Sequence, residues 1–338
     1  MSAPERIMSL DEIEAMSSEC LLAVDVAANV AKSVARSIRR AEADGIRSHG
    51  LARLATYSRH ARIGKVDGWA VPELSKTGPA SICVDARYGF AHPAIELGIA
   101  ELENLAREMG IAVLAVTKSY NCGVLGHHVE EIAEAGFVGL GFVNAPPSIA
   151  PWGGRKPVFG TNPIALAAPL ANRPPMVIDQ SSSVIARGEI MLHAQQEKPI
   201  PPEWAITADG KPTTDPKEAL KGSLLPSGGY KGAGLALMVE VMAAVLTGAN
   251  LSIDASSFAD DYGGPPATGQ LFIAIDIGRL AGKENFNNRF ERLFSAMTSQ
   301  AGVRLPGDKR LKARASTARE GVRVPEKLLS ALFEKSKR

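Results

Sequence analysis

The chain has 338 residues, with 38 Lys plus Arg against 36 Asp plus Glu, a formal net charge of +2, and 5% aromatic residues. That length suits two domains or one large α/β unit with ample core, and the near-neutral, aromatic-poor balance excludes the basic stripe of a nucleic-acid binder. Cys20, Cys83 and Cys122 leave one thiol unpaired in any disulfide scheme. With no signal-peptide pattern in MSAPERIMSLDEIEAM and no apolar run of spanning length, the expectation is a cytoplasmic protein that meets no membrane.

Ser9 with Glu12 matches a capping box and opens a helix. Leu22, Val26, Val30, Val34 and Ile38 recur every fourth position, with Lys32, Arg36, Arg39 and Arg40 mostly off that stripe, which predicts one amphipathic helix from about 19 to 43, ending near Gly45. A second helical stretch covers Leu51 to Ile63 and precedes a turn from Gly64 to Gly68. From residue 80 short β-rich runs alternate with helical ones: SICVDA, a helix near Ala94 to Met109, IAVLAV, a helix near Val129 to Ala135, then FVGLGFVNA. Further strands are expected at Ile164 to Ala168, Met176 to Asp179 and Leu271 to Ile277, and residues 196 to 226 read as an ordered surface excursion. Charged helices return after about 285, at Phe286 to Met297 and Glu326 to Glu334. The pattern predicts an α/β fold: a central domain over 76–284, with helical regions 1–75 and 285–338 packing together.

Two blocks read as backbone shaped around a ligand. Gly160-Thr161-Asn162-Pro163 is a turn placed directly before the apolar run Ile164 to Ala168, which presents Thr161 and Asn162 beside a sheet edge. Glycines 228, 229, 232 and 234 surround Lys231 and open the apolar run Leu235 to Leu246. Such a loop brings backbone N–H groups, a helix N-terminus and a lysine to an anion, although a plain turn capping a core helix has the same composition. The GxGxxG and GxxxxGK[ST] signatures are absent, and the histidines show no metal-ligand spacing, so no metal is expected. Arg304, Lys309, Arg310, Lys312, Arg314 and Arg319 form either a solvated C-terminal face or a seat for a cofactor phosphate.

Taken together, RSHGLARL (47–54), SYNCGVLGHH (119–128), the GTNP block, VIDQSSSVIARGE (177–189), IPPEWAITADGKPTTDP (200–216), LLPSGGYKGAGLAL and RLPGDKR (304–310) resemble the malate/L-lactate dehydrogenase-like family of NAD(P)H oxidoreductases. The family's fold is a mixed sheet and not a Rossmann fold. IARGE is most similar to the branch that reduces Δ1-pyrroline-2-carboxylate and Δ1-piperideine-2-carboxylate, cyclic imino acids, to L-proline and L-pipecolate.

The resemblance implies His49 as proton donor, with Ser48 and Glu189 as its partners and Asp179 as a rival partner. Arg53 and Thr161 would hold the substrate carboxylate. Around the cofactor it places Asn121, Cys122, Gly123, Val124 and Leu125; Ile178, Asp179 and Gln180; Arg187 and Gly188; and Tyr230 and Lys231. The last cofactor segment is Arg304, Leu305, Pro306, Gly307, Asp308, Lys309 and Arg310. Asn121 departs from a common histidine, and Gln180-Ser181 from Leu-Ala or Met-Ala. The implied cofactor is NADPH, with NADH possible, the partner a small imino acid, and the assembly a homodimer. The alternative is a 2-hydroxy-acid dehydrogenase of malate, lactate or sulfolactate type.

Overall fold

The computed structural model describes residues 4–336. Strand β1 (Glu5–Met8) leads into α1 (Leu10–Leu22), α2 (Ala28–Ala43) and α3 (Leu51–Arg62). Ser9 opens α1 as expected: its hydroxyl accepts from the Glu12 N–H at 3.1 Å and its own N–H donates to the Glu12 carboxylate at 2.7 Å. The stripe expected as one helix is two helices. Asp25 adopts a left-handed φ of 62°, and the Ala27 N–H at the head of α2 goes to the Gly68 carbonyl instead of back into α1. Val26, Val30, Val34 and Ile38 are nevertheless buried, while Leu22 is left outside.

The central unit contains β2 (Glu73–Gly78), β3 (Ser81–Asp85), α4 (Ala91–Met109), β4 (Ile111–Ser119), α5 (Leu125–Glu134), β5 (Phe137–Val143), β6 (Ile164–Ala168) and β7 (Met176–Gln180). It continues through α6 (Arg187–Gln195), β8 (Ala205–Ile206), α7 (Pro216–Lys221), β9 (Ser223–Leu224), α8 (Tyr230–Glu240) and β10 (Thr268–Asp276). Then come α9 (Lys283–Thr298), α10 (Asp308–Glu320), β11 (Val322–Pro325) and α11 (Glu326–Ser336). Seven strands form one sheet in the order β2-β3-β4-β10-β5-β6-β7. Only β3 and β4 pair parallel. This is the expected mixed α/β sheet, and it is not a doubly wound nucleotide fold, whose core strands are parallel.

Alternation along β10 builds two cores. Phe272 and Ala274 share a core with Ile95 and Leu102 of α4, Leu114 of β4 and Ile132 of α5, each apolar side chain stabilising by about 1.5–3 kcal/mol. Leu271 faces the other side, against Val239 and Ala243 from α8 and the π-turn that extends it. Edge strand β2 is missing from the sequence reading because ELSKTG is almost wholly exposed and has no apolar alternation. Residues 196–226 do fold on themselves: β8 pairs with β9, and Ile190, Ile200, Ala205, Ala219 and Leu224 share a small core with Ile149.

The chain ends meet. Strand β1 pairs antiparallel with β11, and Met8, Ile13, Leu21, Val34 and Leu54 pack with Val322, Val324, Leu329 and Leu332. Helix α10 is fastened by an ion cluster. Asp44, at the end of α2, and Glu130, on α5, have side chains 0% exposed, and each receives both Arg310 and Arg314 at 2.7–3.0 Å. Burial alone would raise both carboxyls. Hydrogen bonds from His127 and Arg314 to Asp44, and from Arg310 and Arg314 to Glu130, outweigh it, and Glu130 is held down to about 2.

Glu130→Gln leaves two guanidiniums facing Asp44 alone and should cost about 3–5 kcal/mol in urea unfolding. Because the folded carboxyls titrate below their unfolded values, their stabilisation is present above about pH 5 and is lost as pH falls toward about 2. Wild-type stability should therefore fall more steeply than the variant's across that acid range.

Candidate active site

His49 sits in a single 3-10 turn, Arg47–His49, between α2 and α3. The turn is fixed from below by Glu42. Its buried carboxylate accepts the Leu51 N–H at 2.8 Å, one of the free donors at the head of α3. A Cβ on Gly50 would lie 2.0 Å from that carboxylate oxygen, so only glycine lets the cap approach. Burial raises the Glu42 carboxyl pKa.

Ser48 Oγ lies 3.0 Å from His49 Nδ1 and is, among the described residues, the histidine's one hydrogen-bond partner. Burial, then the charges of Arg53 and His127, push the His49 pKa down to about 4. The imidazole is neutral at pH 7 in this state. Arg53, in the first turn of α3, donates Nε to the Ser48 carbonyl at 2.9 Å, and its two terminal nitrogens have no partner among the described residues. That leaves the fork a carboxylate binds. One turn on, Tyr57 donates its hydroxyl to Asn121 Oδ1 at 2.7 Å.

The 121–125 segment runs into the head of α5, where the Gly126 N–H donates to Asp179 Oδ2 at 2.8 Å. This bond joins the 121–125 and 178–180 segments at the end of β7. Desolvation raises the Asp179 pKa, and burial pushes the Cys122 thiol up to about 12, so it stays protonated. Among the described residues no hydrogen bond or ion pair joins Asp179 to His49.

In the GTNP turn, Asn162 takes a φ of 38° and is buried. Its amide donates to the Ala236 carbonyl and to Glu240 on α8, and Ser252 donates to the same carboxylate at 2.6 Å. The turn is thus bolted to α8, while the Thr161 hydroxyl has no partner among the described residues. A cleft of about 450 Å³ opens beside it, lined by Gln180, Ser181, Ser183, Ser227, Lys231 and Leu235 among others. Its floor is the head of α8, capped by no side chain, with Gly229 at a φ of 67°. A Cβ on Gly232 would fall 2.1 Å from the Ser227 carbonyl, so the loop closes only around glycine. Free N–H groups, an exposed Lys231 with no partner among the described residues and a glycine-walled cradle fit the phosphates of a dinucleotide.

Other expected residues lie elsewhere. Glu189 is 3.9 Å from His193, four residues on, and not paired with His49. Arg187 donates to the Leu220 carbonyl at 2.8 Å, and Gly188 has open space around it. In the 304–310 segment, Gly307 (φ 87°) lies against β7 near Val177, Asp308 binds Arg173, and Leu305 is buried. Arg310 differs from the reading of a free basic cluster, because Asp44 and Glu130 consume it; Arg304 and Lys309 remain exposed. Glu42, Asp44 and Tyr57 were not anticipated. Tyr57 had a legible signal, its spacing of four from Arg53.

The chain belongs to the malate/L-lactate dehydrogenase family, whose profile matches residues 8–333. It is 43% identical over 327 residues, 97% of each chain, to the (2R)-3-sulfolactate dehydrogenase (NADP(+)) of Chromohalobacter salexigens. It is 42% identical to the Δ1-pyrroline-2-carboxylate reductase 1 of Burkholderia ambifaria, covering 98% of each chain. The crystal structure of Δ1-piperideine-2-carboxylate reductase from Pseudomonas syringae superposes with a TM-score of 0.92 at 36% identity, over 98% of this chain and 99% of that one. No described helix is long and apolar enough to cross a membrane.

Gly50→Ala should displace Glu42 from the head of α3 and cost about 1–3 kcal/mol by overpacking. Thermal unfolding reads the cost. A variant as stable as wild type would mean the cap does not hold this turn.

Proposed function

We propose that this enzyme reduces small cyclic imino acids, Δ1-pyrroline-2-carboxylate or Δ1-piperideine-2-carboxylate, to L-proline or L-pipecolate with NADPH. The carrying observation is the His49 turn: an imidazole held by Ser48 beside the open fork of Arg53 pairs a proton donor with a carboxylate anchor. When bound, the dihydronicotinamide supplies a hydride to the carbon of the C=N bond. Arg53, with the free hydroxyl of Thr161, grips the substrate carboxylate and fixes that carbon. An anionic substrate beside His49 offsets the depressed pKa, so the histidine takes up a proton on binding and delivers it to the ring nitrogen. Glu189 makes no hydrogen bond to His49 among the described residues and lies 3.9 Å from His193.

Lys231, Arg304 and Lys309 supply the cofactor's positive seat, one charge more than a pyrophosphate needs, which favours a 2′-phosphate. NADH remains a second cofactor. Leu237, Met238, Val241, Val245 and Leu246 expose a continuous apolar face along α8 and its π-turn, which supports a homodimer. The three free thiols suit a reducing cytoplasm. A second reading, oxidation of a 2-hydroxy acid, is favoured by the 43% identity to the sulfolactate dehydrogenase.

Assay of NADPH and NADH oxidation with both cyclic imines, pyruvate and oxaloacetate tests the reading; turnover confined to the 2-oxo acids would replace it with the second. His49→Ala should lower turnover by ~100-fold or more with cofactor binding intact, and a loss of only a few-fold would remove His49 from the chemistry. NADPH should bind more tightly than NADH at low salt, with the gap closing as salt rises. Equal affinities at low salt, by fluorescence titration, would leave the extra charge unexplained.

A further inference from the structure

Asn121 cannot be turned around. Its Oδ1 lies 2.9 Å from the Gly123 N–H, which can only donate, so the atom there must be the acceptor oxygen. Tyr57 fills the second acceptor site of that oxygen with its hydroxyl at 2.7 Å. The phenol is itself immobile: Tyr57 is buried, and its ring packs edge-on against Phe90 at 5.9 Å and Tyr120 at 5.8 Å. Burial keeps it protonated, hence a donor. Both hydrogens of the Asn121 amide are left without a partner among the described residues. Because Asn121 is half-buried, they are open to a molecule entering the site. Arg53, one turn before Tyr57, places its charge close to both Tyr57 and His49, so this amide belongs to the same corner as the acid and the carboxylate anchor.

A carbonyl oxygen and an imine nitrogen differ in what they can accept. The oxygen has two lone pairs and takes two donors at once, whereas the nitrogen has one lone pair and takes one. With His49 as first donor, a second fixed donor contributes to a C=O substrate and is redundant for a C=N substrate. We propose that Tyr57 is a positioning residue that locks Asn121 with its amide hydrogens toward the substrate, and that Asn121 is the second donor which lets the site accept 2-oxo acids beside cyclic imines. The inference rests on the reductase reading for the placement of His49 and Arg53. It assigns to Asn121 and Tyr57 the choice between oxygen and nitrogen at the reacting carbon.

Asn121→Asp keeps the acceptor for Tyr57 and Gly123 but turns the donor face into an acceptor. With NADPH, its kcat/KM for pyruvate should fall by ~100-fold or more, as when a paired donor is lost, and that for Δ1-pyrroline-2-carboxylate by less than ~10-fold. Tyr57→Phe, which frees the amide to rotate, should shift the same ratio in the same direction by a smaller factor. Thermal unfolding close to that of wild type reports that both variants fold, and saturating NADPH keeps any change at the cofactor seat out of the ratio. Equal losses on the two substrates, an unchanged ratio, or a wild-type enzyme that turns over neither pyruvate nor oxaloacetate would overturn the inference. If the wild type turned over 2-oxo acids and no imine, the reductase reading would fail alone, and the loss on pyruvate in Asn121→Asp would still decide the role of Asn121.

Discussion

Two buried carboxylates at the end of α2, Glu42 and Asp44, hold the rest of the site in place. Glu42 caps α3 and so sets the turn that carries Ser48 and His49. Asp44, two residues on, takes Arg310, Arg314 and His127, and through them fastens α10 and α5. Neither carboxylate would be tolerated inside without partners, since burial of an unpaired charge costs several kcal/mol. Both are therefore strict about what surrounds them. One short peptide stretch fixes the His49 turn, α10 and the helix whose head binds Asp179.

The same geometry explains which motifs were legible. RSHGLARL shows its histidine, its arginine and its glycine because those types are rare in that order, and the structure gives each a specific neighbour. Glu42 and Asp44 were illegible: on an amphipathic helix a carboxylate near the end reads as solvated, whereas Glu42 turns under the head of α3 and Asp44 meets α10 from 266 residues later. Arg310 was misjudged for the related reason that Lys309 and Arg310 are adjacent in sequence. On a helix neighbours diverge by about 100°, while Arg310 and Arg314, four apart, share a face. The inward face went to Asp44 and Glu130, and Lys309 stayed outside.

The fold was legible wherever apolar alternation met burial. Strands β3 to β7 and β10 lie where expected because each has at least one core face. Strand β2, which is almost wholly exposed, and the four-residue strands of the β1–β11 pair escaped notice, with pairings set by the tertiary structure alone. The break at Asp25 was hidden as well, because the four-residue stripe continues through it on both sides.

A sheet that is almost wholly antiparallel lacks the row of strand ends and helix heads that a doubly wound fold offers a dinucleotide. Here two separate helix heads flank the candidate site. The head of α5 is already satisfied in part by Asp179, whereas the head of α8 is uncapped and followed at once by Lys231. The two therefore differ in charge: one end of the site carries a carboxylate and the other a lysine. A molecule that is anionic at its phosphates and neutral at its reducing ring fits such a gradient with the phosphates toward α8. The Asn162–Glu240–Ser252 network ties that end to the GTNP turn, so a shift of the α8 head would also move Thr161. The α8 helix and the GTNP turn are mechanically one piece.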